Sequence, residues 1–121
     1  MATQIVIGNG SYIKVDASYH IDWADKGSSM PAIPNTLHAL IWNDLSGQNE
    51  IQSKDASTGM MTGNTNLSST SDAVGSTTVG ALLTWAETRK SEIETAKTAY
   101  INDGNGDVGT GSEGKTWQDY L

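Results

Sequence analysis

Two histidines, His20 and His38, are the only side chains of this sequence that titrate near neutral pH when unperturbed. Beside Asp16, Asp22, Asp25 or Glu50 they could form an acid–base pair or part of a metal site. Their spacing supports neither. The sequence holds no His-x-x-x-His and no His-x-x-Glu-His, the arrangements that put ligands on one helix face. His38 falls in the middle of a strand pattern, on the side opposite Leu37, where a hydrogen-bonded structural histidine is expected.

Asp103, Asn105 and Asp107 imitate the start of a calcium loop, whose carboxylate and carbonyl oxygens suit a hard cation. Val108 stands where that loop requires glycine, and the late acid, Glu113, comes one position early. A polar turn is the better reading, with weak calcium binding as the alternative. Gly109 to Thr116 fits the letters of a phosphate-binding loop, but no strand precedes it and too little chain follows for a βαβ unit. The many hydroxyls include no Gly-x-Ser-x-Gly elbow. Cysteine is absent, which removes disulfides, thiolate chemistry and Cys-ligated zinc. The residues therefore predict no enzyme, no catalytic residue and no cofactor.

The elements that would hold these groups are those of a small α+β domain. Ile5-Val6-Ile7, the turn Gly8-Asn9-Gly10-Ser11 and Tyr12-Ile13-Lys14-Val15 read as a hairpin. Tyr19, Ile21 and Trp23 alternate with polar neighbours as a short third strand, and Gly27 to Pro34 reads as loop. Thr36 to Trp42 is the best strand, with Leu37, Ala39 and Ile41 on one face and Leu40 and Trp42 on the other. Such a strand is expected to be central, with Trp42 in the core. Asn43 to Gly47 is a turn, and Asn49 to Gln52 the returning arm with Ile51 inward.

Residues 53–77, rich in Ser, Thr, Gly and Asn, read as an ordered, meandering cover. A mobile binding loop and an edge strand around Met60-Met61-Thr62 are the alternatives. Thr78 to Ile101 is a helix, with Val79, Leu82, Leu83, Ala86, Ile93, Ala96 and Tyr100 on its apolar stripe. Ser76 or Thr77 would cap it. Glu87, Arg89, Lys90, Glu92 and Glu94 would form its wet face, and Trp85 its flank. The expected fold is an antiparallel sheet of about four or five strands packed by this one long helix, in a domain spanning 1–101. Residues 102–121 would be a Gly-rich linker and an aromatic tail.

Composition narrows the partners. The formal net charge of −7 argues against nucleic acid, which needs a basic stripe. No apolar run reaches the roughly 20 residues of a membrane helix. Met1-Ala2-Thr3-Gln4 shows no basic-then-apolar leader pattern, so the reading is a protein made and kept in a cytoplasm. Phe is absent, and the four Trp and four Tyr must supply the large contacts. Their polar tips suit interfaces, which predicts a core completed by protein partners in a homo-oligomer. Trp23, Trp85, Trp117 and Tyr120 are the expected contact residues.

Leu37-His38-Ala39-Leu40-Ile41-Trp42-Asn43, then Ser46-Gly47, then Glu50-Ile51, with Leu82-Leu83-Thr84-Trp85 in the helix, resembles small proteins encoded among bacteriophage tail genes. The resemblance spans roughly residues 33–100. It leaves out the N-terminal hairpin and the Gly-rich tail. It implies a non-enzymatic tail-associated or tail-assembly protein that acts through contacts with other phage structural proteins, in the host cytoplasm during assembly and in the virion. The alternative is a module that binds a carbohydrate or cell-surface ligand through Trp and Tyr residues and the 53–77 segment.

Overall fold

The computed structural model describes residues 3–8, 12–20, 31–106 and 115–121. It is an α+β fold: six antiparallel strands and one long helix. The strands are β1 (Gln4–Gly8), β2 (Ile13–Val15), β3 (Ser18–His20), β4 (Leu37–Asn43), β5 (Gln48–Lys54) and β6 (Met61–Asn66). They lie in the order β3-β2-β1-β4-β5-β6. A two-residue ladder, β7 (Ala73–Val74) with β8 (Thr77–Thr78), leads into helix α1 (Val79–Tyr100). A wide turn, Ile101–Asn105, follows, and Lys115–Tyr120 closes the chain as a short 3-10 helix. Ile21, Trp23, Gly27 to Met30, the hairpin tip at 9–11 and residues 107–114 lie outside the described residues.

Strand alternation sorts the sheet into two faces. Ile5 lies between Val15 and Trp42, and Ile7 between Ile13 and Leu40, so six large apolar side chains share one face. All six are buried. The other face carries Val6 beside Lys14 and Ile41, then Glu50 and Asn66.

β4 is central, as its doubly apolar pattern predicts, but its faces are not those the pattern gives. The ladder to β5 slips between Leu37 and Ala39. This bulge at His38 carries Leu37 onto the side of Leu40 and Trp42, within the helix-side core. Ala39 and Ile41 remain opposite Gly8 and Val6. A one-residue slip exchanges faces, and strict alternation across the bulge misassigns Leu37.

Helix α1 starts at Val79 because Thr78, in extended conformation, accepts the Ala81 backbone N–H on its hydroxyl at 3.2 Å. The cap is thus Thr78 rather than Ser76 or Thr77. The helix lies against β1 and β2 on one side and the terminal 3-10 helix on the other. Its buried stripe includes Arg89, which is 0 % exposed and 3.6 Å from Glu92. The wet-face assignment of Arg89 is therefore corrected. Leu82, Ala86, Arg89, Ile93, Ala96 and Tyr100 follow one another at steps of four and three, so Arg89 occupies a seam position whatever its charge. Lys90 and Glu94 do form the expected exposed-side pair, at 3.8 Å.

Residues 53–77 are not a meandering cover. They contain β6, the edge-strand alternative, and this sixth strand takes the sheet beyond the four or five expected. Two turns of the same construction fold β4, β5 and β6 into a meander. Asn43 Oδ1 accepts the N–H groups of Leu45 and Ser46, and Ser46 Oγ accepts that of Gln48. Asp55 Oδ1 accepts those of Ser57 and Thr58, and Thr58 Oγ1 accepts that of Met60. Gly47 (φ 70°) and Gly59 (φ 74°) close the two turns in the left-handed region that a side chain disfavours.

The terminal segment belongs to the domain. Trp117 is 1 % exposed and joins the same core cluster as Ile5, Leu83 and Ile93. The division into a 1–101 domain and a separate 102–121 tail is corrected accordingly; an indole has too much apolar surface to leave in water when a helix flank is at hand. Trp117→Ala is expected to cost about 3–5 kcal/mol of stability, the range for a buried large aromatic. Urea unfolding measures it, and a loss of only a few tenths would mean that the segment is an appendage.

Candidate functional site

The side chains with potential chemistry are spent on turns. Asp16, at the β2–β3 turn, accepts the backbone N–H groups of Thr3 (2.9 Å) and Gln4 (3.0 Å) and the Thr3 hydroxyl (2.9 Å). It pins the start of β1 from a left-handed position, φ 51°. Asp72 accepts the N–H groups of Ser68 and Ser69 and shapes the approach to β7. Asp44 accepts the Trp42 indole N–H at 2.9 Å, which satisfies the polar tip of a buried ring.

These contacts lower three carboxyl pKa values below the ordinary aspartate range. The chief cause is the Gln4 backbone N–H for Asp16, that of Thr58 for Asp55 and that of Ser68 for Asp72. A carboxyl whose folded pKa is depressed stabilises the fold above its unfolded pKa, and this contribution is lost as pH falls through the folded value. Stability is therefore expected to hold from neutral pH to about pH 5 and to decline below about pH 4. Asp72→Asn, which keeps an acceptor oxygen but cannot titrate, should make that acid decline shallower in pH-dependent urea unfolding. An unchanged acid profile would contradict the assignment.

His38 stands exposed on the β4 bulge, not in the structural, hydrogen-bonded setting expected. His20 ends β3, and Asp22 and Asp25 lie outside the described residues. Among the described residues, no group of three or more His, Asp or Glu is placed to hold a metal ion.

The calcium-like sequence serves as a latch in its described part. The Tyr120 hydroxyl donates to Asp103 Oδ2 at 2.6 Å, and Asn105 Nδ2 donates to the Tyr100 carbonyl at 2.9 Å and to Tyr120 Oη at 3.2 Å. The bond to Asp103 raises the Tyr120 pKa above its ordinary value. Tyr100 and Tyr120 meet edge to face at 5.9 Å, and Lys97 Nζ lies 4.9 Å from the Trp117 ring centre. Asp107 lies outside the described residues. A groove of about 350 Å³ between α1 and the terminal helix is lined by Thr88, Ser91, Glu92, Thr95, Tyr120 and Leu121.

The expected contact residues separate. Trp85 (6 % exposed) and Trp117 are core, as is Trp42, so neither Trp85 nor Trp117 presents a contact surface. Trp23 lies outside the described residues. Tyr120 is 38 % exposed, with its hydroxyl engaged in the latch. The large apolar side chains that do face solvent are Leu45 in the β4–β5 turn, Met60 and Met61 at the start of β6, and Ile101.

The least covered part of the structure is β6. All six of its residues are exposed, and no described strand pairs with its outer side. Met61–Asn66 reads Met-Thr-Gly-Asn-Thr-Asn, without a charge or a proline. Edges that avoid pairing carry Lys, Pro or inward charges, and this one carries none. Its bulge, between Ser53 and Lys54, affects only the Met61 end, and Gly63 to Asn66 run in regular register. Sequence patterning placed interface residues by aromatic content and missed this edge. The signal that would have found it is the second Asx-x-x-Ser/Thr-Gly turn, Asp55 to Gly59, followed by an uncharged polar run.

Comparison with known proteins finds no family model, no curated protein and no solved structure that matches the chain. No described helix is long and apolar enough to cross a membrane.

Tyr120→Phe removes the latch bond to Asp103. Faster amide hydrogen exchange in residues 115–121 is expected, with little change in the global urea midpoint. Unchanged exchange there would mean that ring packing alone holds the segment.

Proposed function

We propose that this protein is a non-enzymatic structural or assembly component of a bacteriophage tail and acts through protein–protein contact at the free edge of β6. The observation that carries the contact mode is the exposed, uncharged, proline-free strand Met61–Asn66 at the end of the sheet. A partner strand added there gains main-chain hydrogen bonds, and the polar side chains on both faces of β6 remain in water. The phage context rests on the Leu37-to-Ile51 pattern and its resemblance to tail-gene products. Host cytoplasm during assembly, and then the virion, is the location that goes with this reading.

The geometry lends less support to the carbohydrate or cell-surface reading. An aromatic platform needs exposed rings, and Trp42, Trp85 and Trp117 are all buried. The absence of a clustered acid, base and nucleophile from the sequence patterns favours a contact role over catalysis.

The test places lysines on the edge. Asn64→Lys with Asn66→Lys leaves exposed positions exposed and blocks strand addition. In a phage that encodes the chain, this variant is expected to fold normally by circular dichroism, yet to lower the yield of infectious particles at least tenfold. A folded double variant that supports normal yield would refute edge contact as the working mode.

A further inference from the structure

We propose that the strand that docks on β6 is the β6 of a second copy, paired antiparallel about a two-fold axis at Asn64. This rests on the edge-contact reading above and adds the partner and the register. The charges flanking the strand choose the partner and the direction. Lys54 stands behind Met61 at one end, and Glu50 stands behind Asn66 at the other. An antiparallel pair of identical edges sets the Lys54 end of each copy against the Glu50 end of its mate. A parallel pair would set like against like. β6 itself is uncharged, so two copies of a chain carrying −7 approach each other along the strand that repels least. The contact is isologous and closes at two copies, which avoids open-ended growth.

The register follows from strand geometry. Residues directly opposite in an antiparallel pair point to the same face. Full overlap of residues 61–66 would oppose Gly63 to Asn64, which point to opposite faces, and is excluded. Centring on Gly63 would bring the bulged Met61 end into the ladder. Centring on Asn64 leaves Met61 outside, opposes Asn64 to its own copy and sets Gly63 opposite Thr65. The two Asn64 amides then meet on the face that carries Gln52, Asn64's partner on β5. A ladder this short gives a weak, concentration-dependent dimer of a twelve-stranded sheet.

The chain has no cysteine, so a single introduced thiol reports the register cleanly. Directly opposed Cβ atoms lie about 5 Å apart, within reach of a disulfide after small adjustment. Asn64→Cys is expected to form a disulfide-linked dimer under mild oxidation at least tenfold faster than Asn66→Cys or Thr65→Cys, neither of which faces its own copy. Light scattering of the native chain should show the mean mass rising with concentration from 12.8 kDa toward twice that value, and Asn64→Lys should abolish the rise. Equal crosslinking at all three positions, or a mass fixed at one chain, overturns self-pairing. If the lysine variants still lower phage yield in that case, the edge-contact reading stands with a different partner. A dimer that persists in Asn64→Lys overturns the β6 interface.

Discussion

Burial of one sheet face under α1 is the contact on which the rest of the molecule depends. Ile5, Ile7, Ile13, Val15, Leu40 and Trp42 offer the helix an unbroken apolar surface, and Val79, Leu82, Leu83, Ala86 and Ile93 cover it. Each fully buried aliphatic side chain contributes about 1.5–3 kcal/mol relative to exposure. Without this layer the polar strands beyond it would have nothing to pair with, since a two-stranded ribbon in water is marginal on its own. The core is small and lacks Phe. Trp117 folds back from the C-terminal segment to complete it, and Arg89 takes a seam position that an apolar residue would ordinarily hold.

The same arrangement divides the sheet. The helix lies over β1 and β2, whereas β5 and β6 extend beyond it. β5 is half-buried and β6 is exposed along its whole length. β6 is held in place by its backbone ladder and by the Asp55 turn, so its register depends on turn chemistry more than on burial. An uncharged edge so built has unmet main-chain donors and acceptors on its outer side, and this is the physical basis for assigning contact function to it.

The layers of the fold were legible in the sequence because periodicity reports burial. Val79 to Tyr100 announced its helix by three- and four-residue spacing, and Ile5-Val6-Ile7, Ile13, Val15 and Leu40-Ile41-Trp42 announced strands. Legibility failed where another constraint overrode the pattern. The bulge at His38 exchanged the face of Leu37. The charge of Arg89 hid its seam spacing, since a residue type that is almost always solvated outweighs position when both are read together. Trp85 and Trp117 were read as interface for their polar tips, but a chain without Phe needs its indoles inside. β6 was obscured by composition: strand-forming apolar residues are missing from it, and only the turn before it and the ladder from β5 make it a strand.

The measurement that tests the division of the sheet most directly is residue-resolved amide hydrogen exchange on the native chain at low concentration. Amides of β1, β4 and α1 should exchange only through global unfolding, while those of Gly63 to Asn66 that point away from β5 exchange near the rate of unfolded chain. Protection of those outward amides equal to that of β4 would show that the edge is already covered within one chain, and would contradict the account.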